Sequence, residues 1–231
     1  MVRWGDWQLA DAHAGALTEA HVELENAGTV RWGDRILLAY HWRDDRGNPI
    51  VWDGLRSAVP ALAPGERARV TARVRAPIPP GRYRFALDLV AEFRAWFSEL
   101  GGEEATRDVD VAPRNGHPRA LLPEWAEPAP DWEERVAAAH AEGYAVVAGA
   151  VDWRGGALKP RPRVLEPYKP GAGRVPGFPH PLLFPSVLDG VAVDELEVDG
   201  LPAVTAPTDE PWLYDGRIVV RVPPRSGRRP G

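Results

Sequence analysis

The chain contains no cysteine among its 231 residues. This absence excludes a disulfide framework, a zinc site built from thiolates and a cysteine nucleophile. It fits a reducing compartment, although secreted proteins can lack cysteine as well. The chemistry of any site must therefore come from the other polar, charged and aromatic side chains.

Lysine is scarce: of the 28 basic residues only Lys159 and Lys169 are lysine, and the rest are arginine. We interpret this bias as a sign of GC-rich codons; the alternative is anion recognition by guanidinium groups. The formal net charge is −5 at pH 7. An acidic balance argues against a general nucleic-acid binder, which is usually basic.

Long apolar runs are absent too. No stretch approaches the roughly 20 apolar residues of a membrane span. The first residues, MVRWGDWQLADAH, lack the apolar core of a secretory signal. If Met1 is the natural start, we expect a cytoplasmic protein; the expectation lapses if the sequence was cut from a longer chain.

Tryptophan, by contrast, is abundant in the first half, where alternating apolar and polar residues predict strands with one buried face. Turn signals rich in glycine and proline separate these runs at the spacing of about 8–12 residues that is typical of an immunoglobulin-like domain. The sequence therefore predicts a mainly β protein whose residues 1–112 form an Ig-like antiparallel β-sandwich, packed by tryptophan instead of a disulfide. The predicted strands are Leu17–Glu25, Arg35–Trp42, Ile50–Trp52, Glu66–Ala76, Arg82–Glu92 and Thr106–Val111.

Several short motifs in this half carry a resemblance to known domains. Asn26-x-Gly28 with Trp32, then Pro64-Gly65-Glu66, Pro80-Gly81-x-Tyr83 and Trp96-Phe97 resemble the tryptophan-rich Ig-like domain of autophagy cargo receptors. With Tyr40-His41-Trp42 and the run from Val51 to Arg56, the chain is also similar to bacterial Ig-like modules attached to surface-polysaccharide and glycosyltransferase proteins. The resemblance covers about residues 20–112. It implies a non-catalytic binding or spacer role and transfers no active site.

The second half has a different composition, because 19 of the 25 prolines follow residue 112. Proline breaks helix interiors and central strands, so residues 113–130 are predicted to be a linker. Asp131, Glu134 and Gly143 predict the caps of a helix over Trp132–Glu142, followed by a buried strand at Tyr144–Val151. We expect a small proline-rich α+β domain at residues 131–222, with an extended arm at 154–185 and a disordered basic tail at 223–231.

One candidate ligand site lies in the predicted sandwich. Trp42, Trp52, Asp53 and Arg56 could form a platform on which aromatic faces stack against sugar rings while the charged groups bond hydroxyls. The alternative is that both tryptophans belong to the core and that Asp53 starts a turn. Trp212 and Tyr214 are a second pair of aromatic candidates for ligand binding.

Acidic residues near the second aromatic pair are candidates for catalysis. Asp209, Glu210 and Asp215 could supply the acid and the base of glycoside hydrolysis. They could equally cap a turn and pair with nearby arginines. Lys169-Pro-Gly-Ala-Gly-Arg174 places glycines beside cations as a phosphate cradle does, but it lacks P-loop spacing, so we interpret it as a loop.

The histidines are scattered, and no pair has the i, i+4 spacing of metal ligands on the predicted helix. The sequence therefore predicts no metal site and no cofactor, and we interpret His41 as an ordinary strand residue.

Three functional hypotheses remain open. The first is a non-catalytic accessory module that binds a glycan or a protein partner, or acts as a structural subunit. The second is a carbohydrate-active enzyme that uses the acids near residues 209–215. The third is self-assembly into a homo-oligomer, in which the proline-rich arm docks on a neighbouring sandwich. None of them involves nucleic acid or a membrane span.

Overall fold

The computed structural model describes residues 1–153 and 181–223. Its contacts divide the chain into two compact units, Met1–Pro113 and Arg114–Gly231. Strands dominate both units, so the predicted mainly β fold class is confirmed. Within the described ranges, no helix has the length and apolar character needed to cross a membrane.

The first unit consists of strands that pair only in antiparallel fashion, apart from an isolated parallel bridge between His13 and Ala112. The strands are β1 (Val2–Leu9), β2 (Leu17–Asn26), β3 (Ile36–Arg43), β4 (Pro49–Val51), β5 (Ser57–Ala58), β6 (Arg67–Arg75), β7 (Gly81–Ala91), β8 (Ala95–Trp96) and β9 (Ala105–Val111). One sheet has the order β1-β2-β6. The other has the order β4-β3-β7-β8, with β5 paired to β3 and β9 paired to β7.

Alternate residues of both sheets meet in one core. Because side chains on a strand point to opposite faces in turn, every second residue faces the opposing sheet. The core residues are Ala20, Val22 and Leu24 of β2, Val70, Ala72 and Val74 of β6, Leu38, Tyr40 and Trp42 of β3, and Phe85, Leu87 and Leu89 of β7. This packing is that of a β-sandwich.

Two hydrogen bonds pin the sheets together at Arg75 of β6. The indole Nε1 of Trp42 donates to the Arg75 carbonyl at 3.0 Å, and the Arg75 backbone N–H donates to the Tyr40 hydroxyl at 2.8 Å. Trp42 and Tyr40 both lie on β3. These part-buried polar contacts therefore tie the two layers of a sandwich that has no disulfide between its sheets.

A tyrosine near the start of β7 provides a further mark of Ig-like sandwiches. The Tyr83 hydroxyl donates to the carbonyl of Pro79, four residues earlier, at 2.6 Å. A tyrosine that bonds back to the chain just upstream is a recurring feature of these domains. It fixes the corner at which the chain enters β7.

Strand β1 was not predicted from the sequence, which drew attention only to Trp4 and Trp7. A bulge between these two residues breaks the register with β2, and the alternation that signals a strand is lost there. Both indoles are partly buried against the core. The six predicted strands are confirmed, with ends that differ by at most one residue.

The second unit contains a mixed sheet, a small antiparallel sheet and the one α-helix of the described residues. Its elements are β10 (Pro118–Ala120), β11 (Glu127–Pro128), α1 (Trp132–Glu142), β12 (Val146–Trp153), β13 (Leu182–Leu183), β14 (Ser186–Leu188), β15 (Glu195–Val198), β16 (Leu201–Val204) and β17 (Trp212–Val222). The mixed sheet has the order β10-β14-β12-β17-β11, and the small sheet β13-β16-β15. Among the strands described in this unit, β12 and β17 are the pair that runs in parallel. The α+β classification of this unit stays a prediction.

Residues 113–130 differ from the predicted linker, because they supply both edge strands of the mixed sheet, β10 and β11. Proline lacks a donor N–H and is tolerated in a sheet only at an edge. The prolines that suggested a linker are thus compatible with strands at these two places. Most of the predicted arm, the Lys169–Arg174 loop and the tail beyond residue 223 lie outside the described residues.

The predicted helix has the predicted bounds, but its N-terminus lacks the predicted capping interaction. The Asp131 side chain caps no backbone N–H; its carboxylate pairs with Arg135 at 2.6 Å. Gly143 ends the helix as predicted, and its N–H bonds the carbonyls of Ala139 and His140. The ion pair one turn into the helix therefore takes the place of the expected capping box.

Candidate functional site

The outer face of the β3–β7 sheet is covered instead of being open to water. Leu38, Tyr40 and Trp42 of β3 face the core, so His41 between them faces outward, yet it is fully buried. Asp88 of β7 is fully buried as well. A strand that is apolar at nearly every position, as β3 is, reflects burial on both faces.

Two indoles and two guanidinium groups make this cover, which we call the Trp–Arg surface: Arg43, Trp52, Arg56 and Trp96. The Trp52 ring stacks on the His41 imidazole with centroids 4.2 Å apart, and Trp96 meets the same imidazole edge-on at 4.5 Å. The guanidinium carbons of Arg43 and Arg56 lie 5.3 Å and 4.8 Å from the ring centroids of Trp52 and Trp96. Such cation–π contacts hold the rings in fixed orientations.

Carboxylates hold the arginines of the Trp–Arg surface in place. Arg56 bonds Glu92 at 2.7 Å and Asp53 at 2.5 Å. Arg43 forks onto both oxygens of Glu104 at 2.7 Å and 2.8 Å. The hydrogen bond to Glu104 raises the pKa of Arg43, although its partial burial acts in the opposite direction. Bidentate pairs of this kind fix geometry as well as charge.

Beneath the Trp–Arg surface lies a cluster of His41, Asp88 and Glu104. Nε2 of His41 is 3.7 Å from Oδ2 of Asp88 and 3.9 Å from Oε1 of Glu104. The side chains of His41 and Asp88 are fully buried, and that of Glu104 is 16% exposed. Within the described part of the chain, these are the residues whose donor atoms are grouped closely enough to hold a metal ion.

The structure brings together three of the four residues predicted for a sugar platform. Trp52, Asp53 and Arg56 adjoin one another, and 41% of Trp52 reaches solvent. The prediction for Trp42 needs correction, because its ring is fully buried against Phe85 and Tyr83 and has no free face for a ligand. The alternation of β3 places Trp42 inward and could have indicated this.

The other aromatic candidates belong to the second unit. Trp212 and Tyr214 lie on β17 beside Val146 and Ala148 of β12, and both are half-buried against a hydrophobic cluster. Burial raises the pKa of Tyr214. Much of each ring therefore lies in the interior of the second unit, where a ligand does not reach it.

Two of the three acidic candidates, Asp215 and Glu210, form ion pairs with arginines. Arg217 bonds both oxygens of Asp215, and this contact lowers the pKa of that carboxyl. Glu210 pairs with Arg114 at 3.0 Å, while Asp209 is exposed. A general acid needs a raised pKa, so the environment of Asp215 disfavours that role.

A buried Ser–His pair in the second unit was not predicted. Nδ1 of His140 donates to the Tyr144 carbonyl at 2.8 Å, and the Ser186 hydroxyl bonds Nε2 at 2.9 Å. The arrangement is that of a base beside a hydroxyl, but Ser186 is 1% and His140 5% exposed. The pair therefore links α1 to β14 and offers no access to a substrate.

Sequence reasoning missed His41, Asp88, Glu104 and Trp96 as neighbours, because strands far apart in the chain bring them together. One available signal was Asp88, a single carboxylate inside the apolar run from Phe85 to Val90. A charge at such a position is buried, and buried charges have partners.

Comparisons with known proteins show only distant likeness. No family model matches the chain, and no curated protein does so. Among solved structures, a CARDB domain from Pyrococcus furiosus in complex with di-metal ions is 19% identical, covering 48% of this chain and 92% of that one at a TM-score of 0.32. A β-glucosidase from Listeria innocua in complex with glucose is 15% identical over 48% of this chain and 16% of its own, at a TM-score of 0.32. A β-galactosidase from Bacteroides fragilis, described as putative, is 14% identical over 66% and 20%, at 0.28. At these scores the likeness says nothing of ligand or activity.

Proposed function

We propose that residues 1–113 form a non-catalytic binding module that takes a glycan on the surface around Trp52. The observation that supports this is an indole fixed from beneath and still accessible from outside. Trp52 rests on buried His41, yet 41% of it is exposed. A rigid, accessible aromatic ring loses little entropy when a sugar ring stacks on it.

Polar groups of both signs flank this indole. The Asp53 side chain is 68% exposed and that of Arg56 28% exposed, and the two are joined at 2.5 Å. A carboxylate accepts hydrogen bonds from sugar hydroxyls, and a guanidinium donates to their oxygens. The combination of an apolar ring with oriented donors and acceptors is the usual composition of a small-ligand site.

Glycan-array binding with the whole chain tests the proposal. Trp52→Ala should weaken binding by at least about tenfold, since truncating a central aromatic contact of a binding site costs about 2 kcal/mol or more. Trp125→Ala is the matched control, because Trp125 is equally exposed at 43% but lies in the second unit. Binding that survives Trp52→Ala, or the lack of any bound glycan, would overturn the proposal; capture of a protein partner through Trp52 instead would also count against it.

The enzymatic alternative is tested by the same preparation. Replacing Asp209, Glu210 and Asp215 together should leave glycan binding at Trp52 unchanged under the proposal. If the wild type turned over a sugar substrate and the triple variant did not, the enzymatic alternative would be favoured instead. The ion pairs of Asp215 and Glu210 support the non-catalytic choice.

A further inference from the structure

The cluster beneath the Trp–Arg surface has a feature that glycan binding does not use. Nε2 of His41 is buried and has no hydrogen-bond partner among the residues that the structure describes. It faces two carboxylates, those of Asp88 and Glu104. We propose that His41, Asp88 and Glu104 bind a divalent transition-metal cation, of the class that accepts one imidazole and two carboxylates, as Zn²⁺ does.

The hydrogen bond on the other ring nitrogen decides which lone pair is free. Nδ1 of His41 lies against the backbone carbonyl of Trp52. A carbonyl oxygen only accepts, so Nδ1 carries the proton, and the lone pair of the neutral imidazole is on Nε2. That lone pair then points at two acceptor-only carboxylates, an arrangement that is unfavourable in a buried place unless a cation lies between them.

A proton on Nε2 would be a poor substitute for a metal ion in this geometry. The separations of 3.7 Å and 3.9 Å exceed the range of about 2.7–3.2 Å for N–H···O bonds, so neither carboxylate would receive a normal hydrogen bond. A cation at about 2.1 Å from each donor sets tetrahedral ligands roughly 3.4 Å apart. The separations of 3.7 Å and 3.9 Å are closer to that spacing than to the length of a hydrogen bond.

The surroundings already orient each ligand. The Asp88 carboxylate accepts two hydrogen bonds, one from the backbone N–H of Leu89 at 2.7 Å and one from the Ser98 hydroxyl at 2.5 Å. Glu104 is held by the Arg43 fork. Metal-binding histidines commonly donate their second N–H to a backbone carbonyl, as His41 does, and ligating carboxylates are hydrogen-bonded in turn. Arg43 balances only one of the two carboxylates, so a net negative charge remains that attracts a divalent cation.

The sequence showed no histidine pair at the short spacing typical of metal ligands, so it predicted no metal site. Here the ligands come from β3, from β7 and from the residue before β9, each from a different part of the chain. Only the pairing of these strands in one sheet brings the three side chains together.

Equilibrium dialysis and calorimetry with Zn²⁺, using the untagged whole chain and no glycan, test the site. We expect one equivalent to bind and the midpoint of thermal unfolding to rise, because a ligand that binds only the folded state stabilises it. Glu104→Gln should weaken binding by about 100-fold or more, and Ser98→Ala, which removes an orienting hydroxyl, by about 10–100-fold. Glu92→Gln is the matched control on the same face and should bind as the wild type does.

The outcomes are distinct. Retention of full affinity in both Glu104→Gln and Ser98→Ala would show an adventitious surface ion and overturn the proposal. A folded protein that binds no Zn²⁺ at millimolar concentration would overturn it as well. Ser98→Ala keeps the experiment decisive should Glu104→Gln fail to fold. Because no glycan is present, failure here leaves the proposed glycan surface untouched.

Discussion

The imidazole of His41 and the side and main chain of Trp52 are joined twice: the ring centroids lie 4.2 Å apart at an interplanar angle of 18°, and the Trp52 carbonyl accepts a hydrogen bond from Nδ1–H of His41. The side chain of Trp52 therefore covers the buried cluster while its backbone orients the histidine. Substitution of the indole removes only the first of these contacts.

We expect a graded cost for the two tryptophans of the Trp–Arg surface. Trp96 is 8% exposed, so Trp96→Ala should lower the free energy of unfolding by about 3 kcal/mol or more. Trp52 is 41% exposed, and Trp52→Ala should cost about 1–2 kcal/mol because less apolar area is lost. Urea unfolding measures both, and equal costs would contradict the described exposure.

Asn26 holds the loop between β2 and β3 with its buried amide. Its Nδ2 donates to the carbonyls of Val30 and Leu62, each at 2.9 Å, and its Oδ1 accepts from the Gly28 N–H at 3.0 Å. Asn26→Asp places an acceptor against two carbonyls and should cost about 3 kcal/mol or more. Asn48→Ala, in an exposed turn, should change the urea midpoint little.

Gly149 of β12 lies against β17 too closely for any side chain. An added Cβ would stand 1.9 Å from the Ile218 carbonyl oxygen. Gly149→Ala should cost about 3 kcal/mol or more, because the backbone of one of the two strands must move. Gly33→Ala is the control, since nothing lies within 4 Å of its added Cβ. Soluble yield and thermal unfolding report the difference, and a neutral Gly149→Ala would refute the described pairing.

His140 should make stability depend on pH. Burial lowers the pKa of His140, since the charged ring would lose its hydration. In the unfolded chain the imidazole titrates near about 6.5, so its contribution is complete above that pH and is lost as the pH falls through the lower folded-state pKa. Relative to His140→Gln, the wild type should lose urea stability as the pH falls below about 6.5. The same pH dependence in the wild type and in His140→Gln would contradict the burial of His140.

Tyr144 should make the stability of the folded chain depend on pH in alkaline solution. Burial raises its pKa to about 12, from about 10 in an unfolded chain. The contribution of the neutral phenol is therefore complete below about pH 10 and is lost as the pH rises toward 12. Phenolate absorbance of the native protein should lag behind that of the unfolded protein, and Tyr144→Phe should remove one late-titrating group. Early, complete titration of the native chain would contradict the burial.

Sequence patterns predicted the sandwich well because local alternation and turn residues specify strands one at a time. Val22 and Leu24 are buried as their period-two pattern requires. The bulge in β1 escaped prediction because it interrupts that period. The edge strands in residues 113–130 escaped because proline argues against a strand unless its place in the sheet is known.

The candidate site was predictable only in its exposed part. Trp52, Asp53 and Arg56 lie within five residues of one another, so spacing alone could suggest them. The cluster of His41, Asp88 and Glu104 depends on which strands pair, and no local pattern carries that information. For Trp42, composition suggested a surface role that the direction of its side chain excludes.

The edge strands β10 and β11 have one further consequence. Each is at most three residues long and contains a proline, Pro118 or Pro128, so each margin of the mixed sheet offers few donors to an incoming strand. Short, proline-bearing margins are a known protection against the sheet-to-sheet aggregation that leads to fibrils. We therefore expect Pro118 and Pro128 to disfavour the pairing of this sheet, edge to edge, with the sheet of a second molecule.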